Sequence, residues 1–149
     1  MISVADALTH LFALTKQLPV ENVPLAQANG RTLAEPVSAN RDQPPFSASA
    51  MDGYAIVSNG AAPGKSYDVI GEAAAGHAFD GTVSAGQAVR IFTGAPVPEG
   101  ADRVVIQEDV SRDGDTITLS ANLDKGFHIR PLGGDFKVGQ TIAAPRVLR

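Results

Sequence analysis

Between residues 40 and 136 no apolar run lasts more than a few residues before a glycine, proline or aspartate turn interrupts it. The runs are GYAIV, SYDVIGE, AVRIF, DRVVIQEDV, DTITLS and FHIRPL, and the breaks include NGAAPGKS, SAGQ, GAPVPEGA and SRDGD. Segments this short fall below the length of an ordinary helix but match strands. Six of them at short intervals predict a small antiparallel β-barrel or sandwich-like lobe. Asp113-Gly114, between QEDV and TITL, is a strong hairpin signal.

The flanks read differently. Val4, Leu8, Leu11 and Phe12 recur at i, i+4, i+7 and i+8, which predicts one apolar stripe on a helix. Ser3 is placed to cap it, with Asp6 three residues on, and Pro19 is expected to end it. PLAQANG predicts a short helical turn, stopped at Asn29-Gly30. RTLAEPV then reads as extended, because Pro36 pushes Glu35 out of the helical region. The fold class is therefore mainly β with N-terminal helices: a β-rich lobe plus an elongated helix-containing segment. KVGQTIAAPRVLR leaves the lobe and is expected to return to that segment. The last stretch, IAAPRVLR, lacks a finishing element, which reads as a piece of something longer.

Charge and composition remove several functions. The net charge is −4 and no Lys/Arg cluster offers itself to phosphate backbones, so nucleic acid is not an expected partner. There is no cysteine, hence no disulfide framework, thiolate nucleophile or thiolate-held metal. MISVADALTH lacks the basic start and apolar run of a signal peptide, and no stretch approaches the ~20 apolar residues of a membrane span. A cytoplasmic location without membrane contact is expected.

Three stretches combine small residues, a turn and one functional group. In SASAMDGYA, Asp52 precedes Gly53, which allows a turn or a close approach of backbone. The carboxylate suits ligand hydrogen bonds or a hydrated Mg²⁺, but the ordinary use of Asp-Gly is an Asx-turn onto its own backbone. In RIFTGAPVPEGAD, Thr93 ends a strand, its hydroxyl and nearby N–H free for an oxyanion. The plain alternative is a proline-stiffened turn in which the threonine caps the strand. In IRPLGGDFKVG, Gly133-Gly134 precede Asp135, a second carboxylate on an open loop with Arg130 and Lys137 nearby. Its plain alternative is a hinge with a solvated aspartate. His10, His77 and His128 lack metal-ligand spacing, and phosphate-loop and nucleophile-elbow motifs are missing. From the residues alone no reaction follows.

Together, PPFSASAMDGYA, RIFTGAPVPEGADRVVIQEDV and IRPLGGDFKVG, in that order and after VPLAQANGRTLAEPV, resemble the N-terminal part of the MoeA-type molybdopterin molybdenumtransferases, relatives of the gephyrin E domain. The resemblance implies insertion of molybdate into adenylated molybdopterin with release of AMP, assisted by Mg²⁺. It implies that Asp52, Thr93 and Asp135 are catalytic and line one cleft. Asp52 and Asp135 would orient water or Mg²⁺, either acid being a possible metal ligand, and Thr93 would bond a phosphate or molybdate oxygen. It further implies an elongated first domain, residues 1–39 and 137–149, and a β-rich second domain, residues 40–136.

The pterin-binding and C-terminal domains of the family have no counterpart here. The cofactor-binding residues are therefore not assignable, and the isolated chain is expected to be inactive, its parent a homodimer. One departure is Gly134, where the family often has Glu, and another is RPL in place of a more basic stretch. The competing reading is a gephyrin-like scaffold or protein-binding module, which has no need of acids at 52 and 135.

Overall fold

A computed structural model describes residues 2–149, and these divide into two compact units: residues 2–37 with 141–149, and residues 38–140. In chain order the elements are α1 (Val4–Ala13), β1 (Thr32–Leu33), β2 (Val37–Ser38), β3 (Ala48–Ser49), β4 (Gly53–Ile56), β5 (Ser66–Ala73), β6 (Gln87–Ile91), β7 (Arg103–Ile106), β8 (Val110–Asp113), β9 (Thr116–Leu119), β10 (Ile129–Arg130), β11 (Thr141–Ile142) and β12 (Arg146–Val147). The mainly β class is as expected, with the α-helix and a short 3₁₀ turn, Leu25–Gln27, toward the N-terminus. Among the described residues no helix is long and apolar enough to cross a membrane.

In the first unit the cap forms as the sequence predicts. The Ser3 hydroxyl oxygen accepts the Asp6 N–H at 3.1 Å and its proton goes to Asp6 Oδ2 at 2.7 Å. The helix stops at Ala13, well short of Pro19. Its last turn tightens instead: Leu14 and Thr15 N–H groups donate to the carbonyls of Leu11 and Phe12, and the Thr15 hydroxyl adds a second bond to Phe12. The apolar stripe is present but uncovered, with Leu11 59% and Phe12 69% exposed. The chain does return here, as β12 pairs antiparallel with β1, Thr32 opposite Val147.

The second unit is built on a six-stranded sheet in the order β7-β4-β6-β5-β9-β8. Alternation along each strand splits the apolar residues between two faces. Tyr54, Ile56, Tyr67, Ala88, Val105, Ile117 and Leu119 cluster on one, while Ala55, Ala73, Val83, Val89, Ile91, Ala95 and Val104 cluster on the other. Every residue of β4 is buried, which explains why GYAI reads as an unbroken apolar run.

Two features depart from the expectation. β5 and β6 run parallel, because the long segment 74–86 between them allows a crossover that a hairpin turn would not. The run DRVVIQEDV is also split into β7, a 3₁₀ turn at Gln107–Asp109, and β8. The hairpin at residues 113–116 forms, with Gly114 at φ +56°. β10 leaves the sheet and pairs with β3.

Gly53 is where the sheet is tightest. It lies opposite both Ile91 and Ile106, and a Cβ added to it would stand 2.0 Å from the Val105 carbonyl oxygen. That contact is backbone against backbone, so neither strand can yield without breaking its ladder. Gly53→Ala is expected to destabilise the chain by about 2–3 kcal/mol in urea unfolding. A loss below about 0.5 kcal/mol would show that β4 and β7 part freely.

Candidate functional site

Asp52 is the last residue before β4, and Thr93 lies two residues beyond β6, the strand paired with it. Antiparallel pairing brings these two strand ends together although 41 residues separate them. The Thr93 N–H donates to Asp52 Oδ1 at 2.8 Å and the Thr93 hydroxyl donates to the same oxygen at 2.7 Å. Asp52 does not fold onto its own backbone, so the Asx-turn reading is replaced by a long-range clasp. Nor are the Thr93 donors open to an oxyanion: both are spent on Asp52.

The loop before Asp52 is shaped from below. Ser49, buried to 1% exposure, donates its hydroxyl to the Met51 carbonyl at 2.6 Å, while its own N–H and C=O bond the Ala95 carbonyl and the Gly94 N–H. The segments SASAMDG and TGAP are thus laced together. Gly94, at φ +83°, turns the chain directly after Thr93.

Asp52 Oδ2 carries no hydrogen bond among the described residues. The carboxyl is held below its ordinary value of 3.8, first by the Thr93 hydroxyl, then by the Thr93 N–H, with a smaller contribution from the Arg90 charge and partial opposition from desolvation. The result is a carboxylate anchored by one oxygen and open at the other.

Asp135 is placed differently. Arg130 Nη2 donates to both of its oxygens, at 2.9 and 2.8 Å, and its N–H is held by the Gln43 carbonyl at 2.8 Å. The aspartate stays exposed to solvent, but the loop around it is a bonded turn and not an open hinge. Gly133 N–H donates to the Pro44 carbonyl and Gly134 N–H to the Pro131 carbonyl, closing the turn. The structure brings Asp52 and Thr93 into contact, and Asp135 bonds to neither. Among the described residues no group of three or more His, Asp or Glu side chains is arranged to hold a metal. His128 pairs with Asp124 at 2.8 Å.

Two residues beside Asp52 escaped the sequence reading. Arg90 sits in β6 and reads as one polar residue in an apolar strand, and Gln107 opens the turn after β7. The Gln107 N–H donates to the Asp52 carbonyl at 3.0 Å. Nothing in local spacing links either to a residue tens of positions away.

Residues 2–148 match the family model described as the MoeA N-terminal region, domains I and II. The chain belongs to that family. Among curated relatives, it is 37% identical to the molybdopterin molybdenumtransferase of Nostoc sp., over 93% of this chain and 34% of the relative. It is likewise 37% identical to that of Haemophilus influenzae, over 87% of this chain and 33% of the relative. The crystal structure of the molybdopterin biosynthesis MoeA protein from Pyrococcus horikoshii OT3 superposes with a TM-score of 0.76 at 36% identity, covering 87% of this chain and 36% of that one. The MoeA-family chain thus spans about a third of the length of the curated relatives it matches.

The lowered Asp52 pKa has a defined sign. Stability from the clasp is present above the ordinary carboxyl value of 3.8 and is lost as pH falls through the lower folded value. The Thr93 amide proton resonance is expected to titrate with a midpoint below 3.8. Movement with a midpoint above 3.8 would contradict the clasp.

Proposed function

We propose that this chain is the part of a molybdenum cofactor-forming transferase that presents Asp52 and Thr93 to substrate. The whole protein inserts molybdate into adenylated molybdopterin and releases AMP. The observation that carries this reading is the Asp52 carboxylate, charged, fixed through Oδ1 and free at Oδ2. The names of the relatives, molybdopterin molybdenumtransferases, support the substrate class. Hydrolysis of the adenylate phosphoanhydride needs a water held in line and negative charge offset as the P–O bond breaks. Asp52 is suited to orient such a water through Oδ2, either by accepting its hydrogen bond directly or through an ion held there. Thr93 acts through Asp52, and Asp135 acts with Arg130 as a charge pair at the edge of the same cleft.

Mg²⁺ fits this donor set. Asp52 Oδ2 is a hard anionic oxygen with no protein donor on it, and Mg²⁺ binds through one or two carboxylates completed by waters and substrate phosphates. Asp52 would hold the ion. Asp135, with both oxygens accepting from Arg130, is the poorer ligand. When bound, the ion would offset phosphate charge.

In the same reading, residues of the first unit form part of an elongated first domain and the sheet unit forms the second. The parent is a cytoplasmic homodimer. Exposure of Leu11, Phe12, Leu14, Leu18 and Leu25 supports self-association, and the lack of cysteine suits a reducing compartment. The chain by itself supplies one side of the pocket and no turnover.

The test is Asp52→Asn in the full-length protein. Asparagine keeps an oxygen for the two Thr93 donors and removes the charge. Cofactor formation from adenylated molybdopterin, molybdate and Mg²⁺ is expected to fall by about a hundredfold or more. Parent-level activity in that variant would sink the proposal.

A further inference from the structure

Gly53 poses a problem that the clasp alone does not solve. The close approach of Val105 demands glycine, yet glycine is the residue with the greatest freedom to rotate, and it sits next to the carboxylate that must stay aimed. Thr93 holds the Asp52 side chain but does nothing for the Gly53 backbone.

The β6 and β7 ladders hold Gly53 on either side, and Arg90 and Gln107 add to them at the carbonyls that flank it. Arg90 lies directly opposite Tyr54 in the β4–β6 ladder, with Phe92 just past the end of its own strand. Its guanidinium carbon stands 5.1 Å from the Tyr54 ring centre and 4.7 Å from that of Phe92, so two aromatic rings orient the planar group. From there Nη1 donates to the Gly53 carbonyl at 3.3 Å and Nη2 to Gln107 Oε1 at 2.7 Å. The Gln107 N–H in turn donates to the Asp52 carbonyl at 3.0 Å. The carbonyls before and after the Gly53 Cα are therefore tied to one Arg90–Gln107 unit. With both flanking peptide planes held, the two soft dihedrals of Gly53 are fixed.

Both acceptors of the guanidinium are neutral, so its charge is not cancelled at the contact and acts on Asp52 as well. Lysine would keep the charge but not both bonds, because an ammonium is a point donor without the two-pronged planar fork.

We propose that Arg90, together with Gln107, is a positioning residue for Asp52: it locks the Asp52–Gly53 backbone so that Oδ1 meets Thr93 and Oδ2 faces outward. The role rests on the reading of Asp52 as the functional acid, but its test does not pass through turnover.

The experiment is NMR on the ¹³C,¹⁵N-labelled chain, comparing the parent with Arg90→Lys and Gln107→Met. Lysine keeps the charge and loses the fork, while methionine removes the acceptor that Arg90 uses together with the exposed Gln107 Nε2 bond to Glu108. In Arg90→Lys the Thr93 amide proton is expected to shift upfield and the heteronuclear NOE of the Gly53 amide to fall. Gln107→Met is expected to move both in the same direction by less. Unchanged Thr93 resonance and Gly53 order in both variants would overturn the proposal. Gln107 has an exposed side chain, so that variant decides the question alone if Arg90→Lys fails to fold. Full activity of Asp52→Asn in the full-length protein would remove the catalytic reading while leaving these shifts unaffected, so the two failures are distinguishable.

Discussion

At Gly53 the backbones of β4 and β7 approach so closely that even a methyl group would meet the Val105 carbonyl oxygen at 2.0 Å. The rest of the site is arranged around that contact. β4 is flanked by β6 on one side and β7 on the other, so its N-terminal end collects residues from both neighbours. β6 delivers Thr93 and Arg90, and β7 delivers Gln107. Asp52, one residue outside the sheet, is the point where these three converge. The tight ladder fixes the depth of the strand, and the side chains around it fix the angle.

The electrostatic consequence is local. A carboxylate receiving an O–H and an N–H on one oxygen is stabilised in its charged form and costs nothing further to keep ionised at neutral pH. Its second oxygen then stays an open anionic acceptor toward solvent or a ligand. Asp135 shows the opposite use of the same residue type: both oxygens accept from one guanidinium, and the pair is self-contained. Two aspartates in motifs of similar appearance are therefore not equivalent. One is held and available, the other held and engaged.

What could be read from the sequence follows from the range of the interactions. The six apolar runs, the hairpin at 113–116, the Ser3 cap and the returning C-terminal segment depend on period, turn chemistry and near neighbours, and these were legible. The parallel β5–β6 pair was not, since a run of alternating residues carries no sign of its partner's direction. The end of α1 was read from Pro19, but hydrogen bonds within the last turn stop the helix at Ala13 first. In the site, Asp52 and Thr93 were singled out separately from their small neighbours. That each is the other's partner depends on the β4–β6 register, which spacing within a motif does not reveal. Gly53 was read as a residue that could turn or be approached, and only the position of β7 decides for approach. Arg90 was passed over because its significance lies in Tyr54, Gly53 and Gln107, none of which is near it in sequence.

The central claim is that the Asp52 carboxylate and the Thr93 donors form one clasp across the ends of β4 and β6. The most direct test is a through-hydrogen-bond scalar coupling between the Thr93 amide nitrogen and the Asp52 carboxyl carbon, measured at neutral pH on the uniformly labelled chain. The account predicts a resolved cross-peak joining those two nuclei. A sharp, well-ordered Thr93 amide without that cross-peak, or with a coupling to a different acceptor, would contradict it.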